Sequence, residues 1–387
     1  MRNFITIESL RGWMAWWVVI THALQLLGAG GGSGPIDAVP LPLLKLMMAG
    51  HTGVLVFIII SGFVITHLLI GKQERYPIYL LRRFLRIAPI YIFCLVLAIL
   101  LADFYKLAYV ENAMALFREE RLGRLAQEQD NFWGHILLHV SMLHGAISDS
   151  FLPHASATFL TPAWSLSLEW QFYLIAPLLI SIALRSELAA FMLAAILLII
   201  KYSLHHSGLR WQYESLFFLA GDLFMVGIAS RMILERINQN KSPLGYLLLV
   251  AALLVQVDVK ATIIWVFFFC LTMIEVGFLP IRSRAISWLH KIIALNSVIR
   301  SLGQWSYSTY LIHIPLFSVL VGLYVRHVGA ENVSQLIVAS ILAGCMPLLI
   351  LISAFLYNFV EKPPIRLGQI LIARRQSQVT TISEAKP

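Results

Sequence analysis

Ten runs of mostly apolar residues, several close to the 20 or so that a helix needs to cross a hydrocarbon core about 30 Å thick, occupy most of this 387-residue chain. They lie at residues 8–28, 51–71, 86–102, 162–182, 187–204, 216–233, 243–257, 261–279, 302–325 and 336–359, the seventh and eighth parted only by the polar "VDVK". With 59% of residues apolar and 13% charged, a soluble domain of this size is excluded. The expectation is an all-α polytopic membrane protein of about ten transmembrane helices: one domain over 1–369, a large outer loop over about 103–161, and a disordered tail over 370–387.

A formal net charge of +9 would suit a nucleic-acid ligand, but its distribution points elsewhere. Ten spans put both termini on one side. If that side is the cytoplasm, the inner segments hold Arg2, the "GKQERYPIYLLRRFLR" loop, Arg185, Arg231, Arg236, Lys241, Arg282, Arg284, Lys291, Arg300 and the cations of the tail, most of the 29 Lys and Arg. The positive-inside rule then accounts for the charge, and no nucleic acid is expected. The first run is interrupted by Arg11 and lacks a small-x-small cleavage site, so it is read as a retained span, not a signal peptide. "GAGGGSGPIDAVPLP" follows as a flexible outer loop, and "FREERLGRLAQEQD" reads as a surface helix in the large loop. Cys94, Cys270 and Cys345 stand singly in apolar runs, as packing thiols do, and no metal site is expected.

Polar residues inside such runs are costly, so they mark function or specific packing. Arg11 and His22 are eleven positions apart, which turns a helix about 20° past three full turns and sets them on one stripe, about 16 Å apart. Arg11 either lines a path or snorkels to the headgroups, and His22 is either a base or a hydrogen-bonded packing residue. Glu169, in "WSLSLEWQFYLIAPLL", falls about 10 Å below the outer face, roughly the depth of His22. A carboxylate at that depth can orient the imidazole as a general base or form a bundle salt bridge without chemistry. "RRFLR" places Arg82 and Arg86 one turn apart with Arg83 beside them, forks suited to phosphate, whether of a ligand or of lipid. Ser61 and Gly62 allow close approach of a helix or ligand. His313 falls near the midplane, where it can line a cavity, and Pro315 after it suggests a helix irregularity. Glu361 and Lys362 in "VEKPP" read as an ion pair at a proline-terminated helix end.

Six stretches in order resemble the motifs of the integral-membrane acyltransferase family 3: "LRGWMAWWVVITHA", "GVLVFIIISGFVI", "RRFLRIAPIY", "WSLSLEWQFYLIAPLL", "SLGQWSYSTYLIHIPLF" and "NFVEKPPIRL". Leu55 replaces the acid of the second motif, and Trp170 replaces a second acid often found after Glu169. Arg11, His22, Ser61, Arg83, Arg86 and Glu169 match. The resemblance implies a stand-alone form, without an appended SGNH esterase domain, in a bacterial cytoplasmic or inner membrane. It also implies transfer of an acyl group, usually acetyl from cytoplasmic acetyl-CoA, to a hydroxyl of a surface or lipid-linked carbohydrate. On that expectation Arg82, Arg83 and Arg86 hold the CoA phosphates, Arg11 lines the path or steadies the oxyanion, and His22, oriented by Glu169, accepts the hydroxyl proton or is itself acylated. The alternative class is a carrier or flippase for an anionic or lipid-linked substrate, against which stands the absence of an inverted repeat.

Overall fold

A computed structural model describes residues 4–31, 35–71, 74–281 and 283–370. Arg2, Arg282 and the tail beyond Ile370, which entered the charge reading, lie outside the described residues. Those residues form helices and turns with no strand among them. In chain order the first helices are α1 (Ile5–Leu26), α2 (Leu41–Met47), α3 (Gly50–Gly71), α4 (Tyr76–Leu100) and α5 (Ala102–Lys106). In the large loop α6 (Arg118–Asp130) and α7 (Phe132–Val140) follow, then α8 (Trp164–Arg185), α9 (Glu187–His206) and α10 (Phe217–Asn238). The chain continues through α11 (Leu244–Leu254), α12 (Val259–Glu275), α13 (Arg284–Ile293), α14 (Ser297–Gln304), α15 (Ser306–Val328) and α16 (Gln335–Leu356).

Helices stand at all ten expected places, but among the described residues only seven are long and apolar enough to cross a membrane: Leu41–Gly71, Tyr76–Leu100, Thr161–Arg185, Glu187–His206, Phe217–Asn238, Ser306–Val328 and Gln335–Ile370. The other three differ for separate reasons. α11 has 11 residues and α12 has 17, short of the 20 or so that span a bilayer. α1 has length enough at 22 residues but carries Glu8, Arg11, His22 and Gln25. Its N-terminus is held inside the protein, where the Glu275 carboxylate accepts from the backbone N–H of Ile5 and of Thr6, both at 2.8 Å. Ser9 Oγ donates to the Ala294 carbonyl at 2.6 Å.

α1 packs against α3, α12, α14 and α15, and α10 fills the centre between α3, α8, α9 and α11. Small residues permit the two closest crossings. A Cβ on Gly227 would meet the Ile59 carbonyl at 2.0 Å and one on Gly62 the Phe224 carbonyl at 2.2 Å, so α3 and α10 touch backbone to backbone. A Cβ on Gly303 would meet the Glu8 carbonyl at 1.9 Å, which brings α14 as tightly against α1.

Proline does less than the sequence suggests. α15 runs unbroken through Pro315, and the last helix does not stop at "VEKPP". A π turn over Tyr357–Glu361 loosens the ladder just before Pro363 and Pro364, where two N–H groups are missing, and the helix resumes to Ile370. That turn rotates Glu361 inward. Cys94 and Cys345 are buried, whereas Cys270 is exposed, so it is not the packing thiol expected.

Candidate active site

The polar residues of the membrane-embedded bundle gather around two cavities. The first, about 450 Å³, takes guanidinium groups from two helices. Arg11 enters from α1, and Arg82, Arg83 and Arg86 enter from α4, because residues three or four apart on a helix share a face. Arg82 is already occupied by Glu74, with which it forms an ion pair. Arg83 lies over the Tyr173 ring, 5.8 Å from its centroid. The Nε atoms of Arg11 and Arg83 are buried without a hydrogen-bond partner, and both side chains line the cavity. Cationic donors in that state fit an anion with several oxygens, such as a phosphate.

Carboxylates share this cavity. Glu169 accepts from Ser61 Oγ at 2.9 Å and from the Tyr173 hydroxyl, so Ser61 is a polar partner and its neighbour Gly62 the contact with α10. Glu8 also lines the wall. Glu361, 1% exposed, accepts from Ser308 Oγ at 3.1 Å and is the strongest electrostatic neighbour of Arg86. The ion pair expected at the helix end is therefore corrected: Glu361 faces the arginines, while Lys362 lies 5.7 Å from the Tyr357 ring centroid.

The second cavity, about 360 Å³, is walled by α1, the start of α3 and the large loop. His22 lines it, and His22 Nδ1 lies 2.9 Å from His313 Nε2. The other nitrogen of His313, Nδ1, lies 3.2 Å from the Thr309 carbonyl. A carbonyl only accepts, so His313 Nδ1 carries the proton and its Nε2 accepts from His22 Nδ1–H. This leaves His22 Nε2 with a lone pair.

Two expectations change here. Glu169 does not orient His22: the carboxylate belongs to the first cavity and the imidazole to the second. Matched depth fixes one coordinate only, and α8 turns Glu169 toward α3 while α15 brings His313 to α1. His313 in turn is fully buried behind His22 and lines neither cavity. Arg11 and His22 do share a stripe of α1, yet each opens into a different cavity. Among the described residues Tyr310 alone lines both. Its hydroxyl is 3.0 Å from the Pro162 carbonyl and from Ser165 Oγ, and its ring lies edge-on to Phe57.

The large loop contributes more than a surface helix. α6 buries Arg121, Arg124 and Glu128 on one face, and Arg121 and Arg124 line the second cavity beside Trp164 and Tyr213. The charged "REERLGR" pattern hid this stripe, because its spacing of three and four positions also fits a solvated helix.

A family model described as an acyltransferase domain matches residues 4–357, nearly the whole chain. The chain belongs to acyltransferase family 3. No curated protein and no solved structure matches it. As an acyltransferase and a multi-pass membrane protein, it must bring an acyl donor and an acceptor together. The histidine cavity lies inside the matched region, and so does the first cavity apart from Ile365, Gly368 and Gln369 on its wall.

Proposed function

We propose that this acyltransferase moves an acetyl group from acetyl-CoA, drawn from the cytoplasm into the arginine cavity, to a hydroxyl of a surface or lipid-linked carbohydrate in the histidine cavity. The observation that carries the reading is α1: one helix presents Arg11 to a cavity built for polyanions and His22 to another, with Tyr310 between them. The arginine cavity then opens to the cytoplasm and the large loop lies outside, in a bacterial inner membrane.

Arg83 and Arg86 hold the donor phosphates, and Arg82, tied to Glu74, guides them in. Glu169, held by Ser61 and Tyr173, offsets part of the positive charge on the cavity wall. The thioester arm passes Arg11 and Tyr310 to reach His22.

His22 Nε2 accepts the proton as the acceptor oxygen bonds to the thioester carbonyl carbon. His313 Nε2 keeps the hydrogen bond from His22 Nδ1–H and steadies the imidazolium so formed. Collapse of the tetrahedral centre breaks the C–S bond, and the leaving CoA thiolate takes the proton from His22 Nε2. No external co-reactant is needed. A carrier would move its substrate unchanged and would have no use for an imidazole held in one tautomer.

The test is purified protein in liposomes, with labelled acetyl-CoA on the arginine side and glycan on the loop side. Label should appear in the glycan as an ester, with a mass increase of one acetyl group. Labelled donor that crosses intact, with no ester formed, would sink the reading.

A further inference from the structure

The histidine cavity carries cationic groups that a neutral sugar does not require. Arg121 is 7% exposed and Arg124 4%. Arg121 donates to the Leu116 carbonyl at 2.7 Å and to Gln25 Oε1 at 2.8 Å, both neutral acceptors, and its guanidinium lies 4.6 Å from the Tyr109 ring centroid. No carboxylate among the described residues comes within 4.0 Å of it as an ion-pair partner. Burial pulls Arg121 and Arg124 below the usual arginine range, so both charges are held against a desolvation cost.

The nearby acids are turned to other donors. Glu128, 4.0 Å from Arg124, accepts from the Phe159 N–H at 2.6 Å, and burial raises it above the usual carboxylate range, which weakens it as a counter-ion. Glu120 is exposed and accepts from Gln212 Nε2. Glu214 faces His51 at 3.4 Å. Trp164 and Tyr213, which line the same cavity, stack with centroids 5.1 Å apart and planes 5° apart, aromatic surface of the kind that meets the C–H groups of a sugar.

We propose that this cavity binds a saccharide bearing an anionic group, a carboxylate or a phosphate, with its ring near the Trp164–Tyr213 wall and its charge on Arg121. Gln25, which anchors Arg121, lies three positions after His22, or about 5 Å along the axis. That is roughly the width of one sugar ring, so the hydroxyl reaching His22 is on the charged sugar or its immediate neighbour. The proposal rests on the acyl-transfer reading for the identity of this cavity as the acceptor side.

Tryptophan fluorescence of the full chain, in nanodiscs of neutral lipid, is titrated with methyl glucoside, methyl glucuronide and glucose 6-phosphate. Trp164 is the reporter and Trp164→Phe its control. At least one anionic probe should saturate at a concentration about tenfold or more below the neutral one. Arg121→Gln should close that gap, and Arg121→Lys should keep most of it. Equal midpoints, no saturable quenching by any probe, or a gap unchanged in Arg121→Gln overturns the proposal. Phosphatidylglycerol added to the discs tests the other source of phosphate; if it abolishes the gap, the site takes lipid headgroups and the proposal fails. CoA binding, measured by dialysis on the same samples, separates this idea from the one beneath it. Charge discrimination without CoA binding overturns the acyl-transfer reading and leaves the anion site, whereas CoA binding without discrimination does the reverse.

Discussion

The two cavities use opposite electrostatic strategies along one helix. In the first, Arg11, Arg83 and Arg86 share the cavity wall with the carboxylates of Glu8 and Glu169. In the second, the His22 imidazole meets a second imidazole, with its Nδ1 2.9 Å from Nε2 of His313. On the proposed function, the difference separates holding charge from moving a proton. A carboxylate beside His22 would favour its protonated form, whereas His313 fixes the ring and leaves Nε2 free to accept. The largest effect should therefore follow His22→Ala, which is expected to cut acyl transfer by about 10²- to 10⁴-fold and leave CoA binding unchanged. A variant with full turnover would remove proton transfer from the second cavity.

The reciprocal change belongs to the first cavity. Arg83→Gln with Arg86→Gln removes charge-assisted hydrogen bonds worth about 1.5–3 kcal/mol each, so the apparent KM for acetyl-CoA should rise at least about tenfold with the acceptor KM unmoved. If acceptor affinity falls equally, the arginines serve the whole fold and the cavities are not separate in function.

A third set of polar residues fixes the large loop that walls the histidine cavity. His139 and His144 stack at 4.0 Å, the Tyr91 hydroxyl is 2.7 Å from His139 Nδ1, and Thr158 Oγ1 is 2.9 Å from His139 Nε2. Burial and then the adjacent imidazole lower His139 well below its ordinary 6.5, and burial brings His144 down to about 4. The unfolded loop therefore binds protons that the folded one refuses. Stability is complete above about pH 6.5 and falls as the pH drops toward 4, by about 1.4 kcal/mol per unit for each histidine. Hydrogen exchange should show residues 132–161 opening over that range ahead of α4. Protection constant from pH 7 to 4.5 would mean that the cluster does not hold the loop.

A smaller contrast tests which acid–imidazole pairing matters. His313→Ala should slow turnover by about tenfold and change the pH dependence of kcat, since it frees the His22 tautomer. Glu169→Gln should act on donor affinity and leave that profile alone, because its partners are Ser61 and Tyr173. The reverse pattern would restore Glu169 as the orienting group.

That reversal shows what sequence carries in a membrane bundle. Position along a helix is legible: Arg11 and His22 share a stripe, and Arg82, Arg83 and Arg86 share a face with the same cavity. Which helices become neighbours is not, since spans of similar length and depth can be arranged in many ways around the membrane normal. His313 and Glu169 were thus both visible as intramembrane polar residues, but only packing decides which one meets His22. Glu361 was misread for a local reason, the π turn that aims it inward. The seven long apolar helices were plain from composition, while α1 was legible by place yet too polar to count among them.

The smallest effect concerns the boundary itself. Tyr310 lines both cavities, and its hydroxyl is held by Pro162 and Ser165 where α8 begins. If the two compartments work separately, this ring limits how freely water and acceptor reach the thioester before both substrates are seated. Tyr310→Ala should then raise acetyl-CoA hydrolysis in the absence of glycan by a few-fold, with transfer falling by a similar factor. Tyr310→Phe keeps the ring but loses the bonds to Pro162 and Ser165, and should lie between. Measuring free acetate against glycan ester in one assay gives the partition directly. If the ratio does not move in either variant, Tyr310 is a packing residue and the two cavities are one continuous site, in which Arg11 and His22 act on the same bound substrate.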